Sequence, residues 1–561
     1  MNTRDVIRVL KHTSDLWALK EDPRAIHFER LVGELERSQA DIEDLVASSF
    51  QSLRMAQSMS HVRQDLCQFV QTGQFAPLEE AGKDVPEGVL QLFKVRGLGP
   101  KRIRLLWDAG IDSPQKLLEQ AQSGQLSRVK GFGSKTQQSI SENVAFMLGS
   151  MQTVRLPEAQ RAAQVLFEVL ACCEPQLTGE LLRACDTVSC VDFLVSATEV
   201  PMPDLVPFGG GWKGTLHNVP FALYVRTPEP GIQAAFLSSG PWEHFLVQHA
   251  KEKGLDLSWQ GLFQDGRHLG CVTEDHLYRH LGVPNLPAEY REEAHLSQGL
   301  SFLEALPGRD AWIQKDDIKG FLHIHSHHSD GTPSIRQWAD AVGAHEGDPR
   351  GHYLGLGDHS VSAFYARGLS IERLRHQWRE IEELQREGYR ILKGAEVDIL
   401  RDGSLDYPDD ILAELDYVVA SVHSHFGLSE REQTERLIRA VSHPLVDILG
   451  HPTGRLLLDR PAYALNVDAV LACAAETQTA IEINANPHRL DLSWQNALRW
   501  PDLQFAINSD AHVLGGQEDL HYGVLVAHKA GLKRSFVVNS FGMDEFKMWV
   551  QRRRKHALKF R

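Results

Sequence analysis

The sequence predicts a multidomain protein with an all-α amino-terminal region, a mixed α+β middle and a carboxy-terminal α/β barrel of parallel strands. Three observations predict it. The 561 residues exceed what one hydrophobic core usually supports. The amino-terminal region holds amphipathic stretches separated by short polar breaks, with no strand-like run before Pro157. From about Asp316 onward, short apolar runs alternate with helical patterns, and each run ends in a residue of the kind that binds metals.

The first element, residues 1–80, reads as a helical domain. With 42% hydrophobic and 24% charged residues and no apolar run of transmembrane length, the chain has the composition of a globular protein outside the membrane. Its opening, MNTRDVIRVLKHTSD, lacks the apolar core and cleavage site of a signal peptide, so a cytoplasmic location is expected. Seven cysteines without CxxC spacing read as reduced thiols.

The second element, residues 81–150, repeats one pattern. Val95-Arg96-Gly97-Leu98-Gly99-Pro100-Lys101 and Val129-Lys130-Gly131-Phe132-Gly133-Ser134-Lys135 are each a Gly-apolar-Gly turn leading into a helix. Glycine permits the tight turn and leaves backbone N–H groups open at a helix start, where a phosphate can be held. Lys101, Arg102 and Lys135 lie just beyond and can neutralise phosphates without reading bases. The charge agrees: the chain carries −15, yet residues 91–140 hold nine Lys or Arg against three Asp or Glu, which makes this segment +6 and the remainder −21. A basic patch on an acidic protein predicts one defined surface for a polyanion. Gly97, Gly99, Lys101, Arg102, Gly131, Gly133 and Lys135 are its candidate DNA contacts. The basic end, Gln551-Arg552-Arg553-Arg554-Lys555, reads as a solvated helix end.

Residues 151–290 mix helix and strand, most clearly strands at 188–195 and 219–225. The polar, Glu-rich stretch 291–315 reads as a linker. Residues 316–561 then carry the apolar runs. The run 321–324 holds His323 and leads to His325; 353–357 leads to Asp358 and His359; 391–397 contains Glu396; 417–422 ends at His423. The run 448–450 precedes His451, 480–483 meets Asn484, and 505–508 delivers Asp510 and His512. A parallel barrel brings successive strand ends to one rim, so these residues should converge. His323 and His325 lie two apart, as do Asp510 and His512, so each pair faces one side of its strand and chelates. Imidazole with carboxylate, and no sulfur, selects Mn2+ or Zn2+ over Ca2+. The donors suffice for two or three ions sharing a bridging carboxylate, the usual apparatus for phosphoester hydrolysis. His352, His425 and His488 have no paired spacing and read as structural.

Leu322-His323-Ile324-His325-Ser326, Gly357-Asp358-His359-Ser360, Gly394-Ala395-Glu396-Val397-Asp398-Ile399, Ala420-Ser421-Val422-His423-Ser424, Gly450-His451-Pro452-Thr453-Gly454-Arg455, Glu482-Ile483-Asn484-Ala485 and Ser509-Asp510-Ala511-His512 together resemble the PHP (polymerase and histidinol phosphatase) domain. In order and context nearly the whole chain resembles the bacterial family X DNA polymerases. The resemblance implies helix-hairpin-helix fingers at 81–150, a palm and thumb at 151–290 and a distorted (β/α)7 PHP barrel at 316–561. It implies metal ligands His323, His325, Asp330, His359, Glu396, His423, His451, Asp510 and His512, with Glu396 as the bridge. It further implies a Mn2+-dependent 3′-5′ exonuclease in which His323, His325, Glu396, His451 and Asp510 are catalytic and Arg455 contacts phosphate. Gapped, single-stranded or primer-terminus DNA is the implied partner of a monomeric, nucleoid-associated bacterial protein.

The palm departs from the family. Thr178-Gly179-Glu180-Leu181-Leu182-Arg183 is similar to the family's Gly-Ser-x-Arg-Arg motif but has Glu180 for the serine and Leu182 for the first arginine. Ser189-Cys190-Val191-Asp192 resembles the Asp-x-Asp strand with Cys190 for the first aspartate, and no acid stands at Val219-Pro220-Phe221-Ala222. Gly179, Arg183 and Asp192 are therefore expected as a vestigial polymerase site that holds Mg2+ or Mn2+ poorly and deoxynucleotides weakly. Ala56-Gln57-Ser58-Met59 replaces the family's glycine-rich hairpin, which weakens the expected grip on a 5′-phosphate. The reading is a DNA-repair exonuclease on a polymerase framework. Its alternatives are an active gap-filling polymerase with PHP proofreading and a small-molecule phosphatase.

Overall fold

The computed structural model describes residues 3–38, 42–51, 61–95, 97–196 and 199–560, without the side chains at a few helical positions that include Lys135. The segment Ala56-Gln57-Ser58-Met59 lies outside the described residues. Contacts divide the chain into Met1–Gln152 and Thr153–Arg561. Among the described residues no helix is long and apolar enough to cross a membrane.

The first unit is helical. Helices Thr3–Leu19, Arg24–Ser38, Val62–Thr72 and Ala76–Gly82 close over Val6, Leu10, Trp17, Phe28, Leu31 and Phe75. Helices Pro100–Asp108, Pro114–Gln122 and Ser134–Ser150 close over a second core containing Ile103, Leu106, Leu117, Phe132 and Val144. The two expected turns are there: Gly97 and Gly131 take φ of +87° and +95°, a left-handed geometry that favours glycine. Gly99 and Gly133 then cap the helices Pro100–Asp108 and Ser134–Ser150.

In the second unit, residues 176–225 form a five-stranded sheet. Its spatial order is Gln176–Thr178, Val191–Val195, Val219–Val225, Gly211–Leu216, Val206–Phe208. Only the pairing of Val191–Val195 with Val219–Val225 is parallel. Ser189-Cys190 interrupts the run expected at 188–195, and a short strand, Val154–Arg155, precedes Pro157. Helices Pro230–Ser238, Gly240–Glu252 and Glu274–Leu281, with a three-stranded antiparallel meander between the last two, follow. The stretch 291–315 is not a loose linker. It folds into helices Glu293–Leu296 and Leu300–Ala305 and buries His295, Leu303, Trp312 and Ile313, because its few apolar residues find partners that its composition hides.

The remaining strands are β1 (Gly320–Phe321), β2 (Tyr353–Gly355), β3 (Ile391–Leu392), β4 (Gly394–Asp398), β5 (Tyr417–Ser421), β6 (Ile448–Leu449), β7 (Ala480–Asn484) and β8 (Phe505–Asn508). All pair in parallel, in the orders β1-β2-β3 and β4-β5-β6-β7-β8. Lys393 alone separates β3 from β4, and parallel bridges at His359–Glu396 and Ile324–Ala511 link the two sheets. Residues that point inward, among them Leu322, Tyr353, Leu392, Tyr417, Ile448, Ala480 and Ala506, stack into a floor with Phe546 and Trp549. Gly394 is required there, since a Cβ would sit 2.3 Å from the Tyr417 ring. Phe546 and Trp549 belong to the final helix, Met543–Ala557. Its basic stretch is only partly solvated: Arg553 is fully buried and pairs with Asp447 at 3.0 Å, and Arg554 meets the same carboxylate at 2.7 Å.

Candidate metal centre

The strand ends opposite this floor carry the polar residues. Backbone pairing does the positioning: Ile324 bridges Ala511, which sets His323 and His325 beside Asp510 and His512, and His359 bridges Glu396. The result is one buried cluster. Glu396 Oε1 lies 2.9 Å from His451 Nε2, 3.3 Å from His423 Nε2 and 3.4 Å from His323 Nε2. Its Oε2 lies 2.9 Å from His359 Nδ1 and 3.8 Å from His325 Nε2. Asp510 Oδ1 is 3.0 Å from His325 Nε2 and 3.6 Å from His323 Nε2. Asp330 Oδ1 is 3.3 Å from His512 Nε2, 3.6 Å from His359 Nε2 and 3.8 Å from His325 Nδ1. All nine ligand-type residues expected from the sequence thus lie in one cluster.

Two donors each bound at about 2.1 Å to one ion sit about 3.0–3.4 Å apart, and the separations of these pairs, 2.9 to 3.8 Å, bracket that spacing. Among the described residues, His323 Nε2, His325 Nδ1, Asp330 Oδ1, His359 Nδ1, Glu396 Oε2 and His451 Nδ1 are buried atoms without a hydrogen-bond partner. Buried polar atoms normally have one. Although His451 Nε2 and Glu396, and His325 Nε2 and Asp510, are also within hydrogen-bonding distance, the unpartnered buried atoms gathered around the same carboxylates fit a shared cation, and the residues present therefore fit a metal site. Sub-clusters of three or four donors, His325 with Asp330, His359 and His512, His323 with His325 and Asp510, and His359 with Glu396 and His423, mark its positions.

A second layer orients the imidazoles. His323 Nδ1 is 2.7 Å from Glu482, His423 Nδ1 is 3.2 Å from Asp398, and His512 Nδ1 is 2.9 Å from the Asp510 carbonyl. Each contact leaves Nε2 aimed at the centre. The sequence pattern names neither Glu482 nor Asp398 as a site residue; Glu482 lies inside β7 and Asp398 two residues beyond Glu396 on β4, and only the fold brings each to the far side of an imidazole. Asp358 sits at a strand end but turns away, accepting from Ser326, Ser329 and Gln377. Asn484 donates to Glu482 and Asp510.

The electrostatics are those of a cation site. Burial opposes charge on Glu396, yet His423, His323 and His359 hold its carboxyl well below the usual range. Burial also opposes charge on His423, but Glu396 and Asp398 lift it to about 10. Burial, with His512 and His359 close by, pulls His325 down to about 4. Imidazoles ligate only when neutral, so cations bound here would take over the role of these protons.

Arg455 does not face the centre. Its guanidinium donates to the carbonyls of Arg489 and Leu490 and pairs with Asp186 at 2.8 Å. The cation at the centre is Arg489, whose Nε is 3.4 Å from Asp510 Oδ2. Its signal was a basic side chain in the loop after β7. At the rim stand Phe364 and Tyr365, 84% and 62% exposed, with the Tyr365 ring 6.4 Å from that of His359. His352 bonds the Val342 carbonyl, and neither His425 nor His488 belongs to a donor cluster among the described residues.

In the 176–225 sheet, Asp192 pairs in register with Thr178 and Ala222, so no acid stands opposite it. Burial pushes its carboxyl up to about 6. A Cβ on Gly179 would lie 2.3 Å from Asp192 Oδ2. Glu180 accepts from the Ser189 amide and hydroxyl. Arg183 is committed to Glu292, at 3.1 Å, and Glu292 also meets Lys529 at 2.7 Å. In the first unit, a Cβ on Gly97, Gly99, Gly131 or Gly133 would meet nothing within 4 Å. Lys101 and Arg102 are exposed, Arg102 folding back onto the Gly97 carbonyl at 2.8 Å. The Lys135 side chain lies outside the described residues.

Residues 89–143 match the SAM-like helix-hairpin-helix tandem, and residues 235–292 match the DNA polymerase beta thumb. The chain is 32% identical, over 98% of its own length and 100% of the relative's, to the DNA polymerase/3′-5′ exonuclease PolX of Bacillus subtilis. It is 30% identical to a probable phosphatase of Caldanaerobacter subterraneus over 30% of this chain and 68% of that one. A probable phosphatase of Thermoanaerobacter is 34% identical over 28% of this chain and 65% of that one.

Proposed function

Because the chain belongs to the family X DNA polymerases, in the branch that joins a polymerase to a 3′-5′ exonuclease, we propose that its carboxy-terminal region removes nucleotides from DNA 3′ ends. We read that region as a distorted (β/α)7 barrel of the PHP type, supported by its parallel strands and the bridges between its sheets. One observation carries the proposal: buried imidazoles and carboxylates crowd one another around Glu396, and Glu396 Oε2, His359 Nδ1 and His323 Nε2 among them have no hydrogen-bond partner.

His323, His325, Asp330, His359, Glu396, His423, His451, Asp510 and His512 would hold two or three Mn2+ or Zn2+ ions, with Glu396 between them. Bound there, such ions supply Lewis acidity to the phosphodiester and lower the pKa of water. The chain's own residues do the rest. Arg489 neutralises charge on the phosphate, Glu482 and Asp398 fix imidazole orientation, and Phe364 and Tyr365 stack on the terminal bases. The helix-hairpin-helix turns hold the DNA backbone: Gly99 and Gly133 adopt geometries open to other residues and face free space, so the absence of a side chain there serves a close-approaching phosphate.

We read the 176–225 sheet as a palm weak or inactive in polymerisation, because Asp192 has Ala222 beside it and Arg183 is tied to Glu292. The test is digestion of 3′-labelled single-stranded and gapped DNA in Mn2+. Wild type should shorten both, and His323→Ala should lose on the order of 100-fold or more. Faster turnover of small phosphomonoesters than of DNA would favour the activity named for the phosphatase relatives. Primer extension that is lost in Asp192→Ala would establish a working palm.

A further inference from the structure

Outside the cluster around Glu396, His327, His328 and Glu380 bring three donor atoms within 4.8 Å of one another. The exonuclease reading uses none of them. His328 Nε2 lies 2.8 Å from Glu380 Oε2, and the His327 and His328 rings are 4.4 Å apart. His376 stands one turn before Glu380 on helix Ile371–Arg386, its ring 6.1 Å from that of His328. The donors come from two braced elements. Ser326 and Ser329, which flank the two histidines, hydrogen-bond Asp358, and Gln377 of the same helix bonds that carboxylate too. Arg367 donates to the His327 carbonyl at 2.8 Å and Arg373 to the His328 carbonyl. The histidine backbones are therefore fixed against the helix that carries Glu380.

We propose that His327, His328 and Glu380 form a separate site for one zinc-class divalent ion, with His376 positioned to complete its coordination. Two imidazoles and one carboxylate with a position open to solvent suit Zn2+ or Co2+ and not Ca2+ or Mg2+, which demand oxygen-rich shells. Arg367 and Arg373 lie beside the loop, so another cation there needs an opposing charge. Glu380 supplies it, and its charge should matter more than any single imidazole.

Equilibrium dialysis of the full-length protein against Zn2+, and separately against Co2+ read by its visible absorption, tests this without reference to any reaction. Glu380→Gln and His328→Ala should each bind one equivalent fewer than wild type, with unchanged melting temperature in chelator and unchanged DNA digestion in Mn2+. Equal ion counts in wild type and both variants would overturn the site and leave the exonuclease reading untouched. Loss of DNA digestion in His323→Ala alone bears only on that reading.

Discussion

Glu396 shows how much one side chain can be asked to do. Both of its oxygens are shared among five imidazoles from four strand ends. Glu396→Gln keeps the shape but removes the charge that makes a bridge, so metal content should fall and 3′-end digestion should drop by on the order of 100-fold. Metal analysis showing a full complement in that variant would refute the bridging role. His295 gives a pH prediction of the opposite kind. Burial pulls it down to about 4 from its ordinary 6.5, its Nε2 rests 2.7 Å from the Lys529 carbonyl, and its ring stacks on Trp494. The folded pKa lies below the unfolded one, so between those values the unfolded chain binds a proton that the folded chain refuses. Its contribution to stability is whole above pH 6.5 and is lost as pH falls towards 4, by up to about 3 kcal/mol. Urea midpoints from pH 7 to 4.5 should fall more steeply for wild type than for His295→Gln, and parallel profiles would contradict this. At this scale spacing was legible in outcome but not in cause: His323 with His325 and Asp510 with His512 do meet, yet they lie past the ends of β1 and β8, Asp510 at φ +53°, where the Ile324–Ala511 bridge sets them together. Arg455 was misread because its partner, Asp186, stands 269 residues away in the chain, where no local pattern points.

Among the elements, the turns before Pro100 and Ser134 separate fold from contact. Gly99 caps its helix at φ −103° with open space around it, so Gly99→Leu should leave the unfolding free energy within about half a kcal/mol of wild type while weakening DNA binding. Lys101→Ala should weaken binding evenly across sequences and reduce the salt slope by about 1. Fluorescence anisotropy over a salt series measures both, and unchanged affinity in Gly99→Leu would remove these turns from the interface. The last helix makes a stability prediction. Asp447 is fully buried and neutralises Arg553 and Arg554, so Asp447→Ala strands two cations and should cost about 3–5 kcal/mol, measurable by chemical denaturation. The strands of the carboxy-terminal region could be read in advance because each is a short apolar run closed by a polar residue. The 291–315 stretch and the basic tail could not, since the burial of Trp312 and Arg553 depends on partners supplied from other parts of the chain.

For the molecule as a whole, residues 153–561 behave as one body, held by ion pairs that run between the 151–290 region and the barrel-like region: Arg155 with Asp459, Arg455 with Asp186, and Glu292 with both Arg183 and Lys529. Sequence order suggested separate modules joined by a tether, and the tertiary ion pairs are what make them continuous. This bears on the palm proposed above to be weak in polymerisation. Arg183, which the resemblance to the family's motif would turn toward a triphosphate, serves as mortar between neighbouring parts. Cys190→Asp with Ala222→Asp should therefore not revive primer extension, and synthesis by that double variant would contradict this. Freeing Arg183 as well would break its contacts with Glu292 and the Ser238 carbonyl and leave Glu292 paired with Lys529. A palm rebuilt for nucleotide addition would thus have to give up a seam that joins it to its neighbour, so its repair and its cohesion pull in opposite directions.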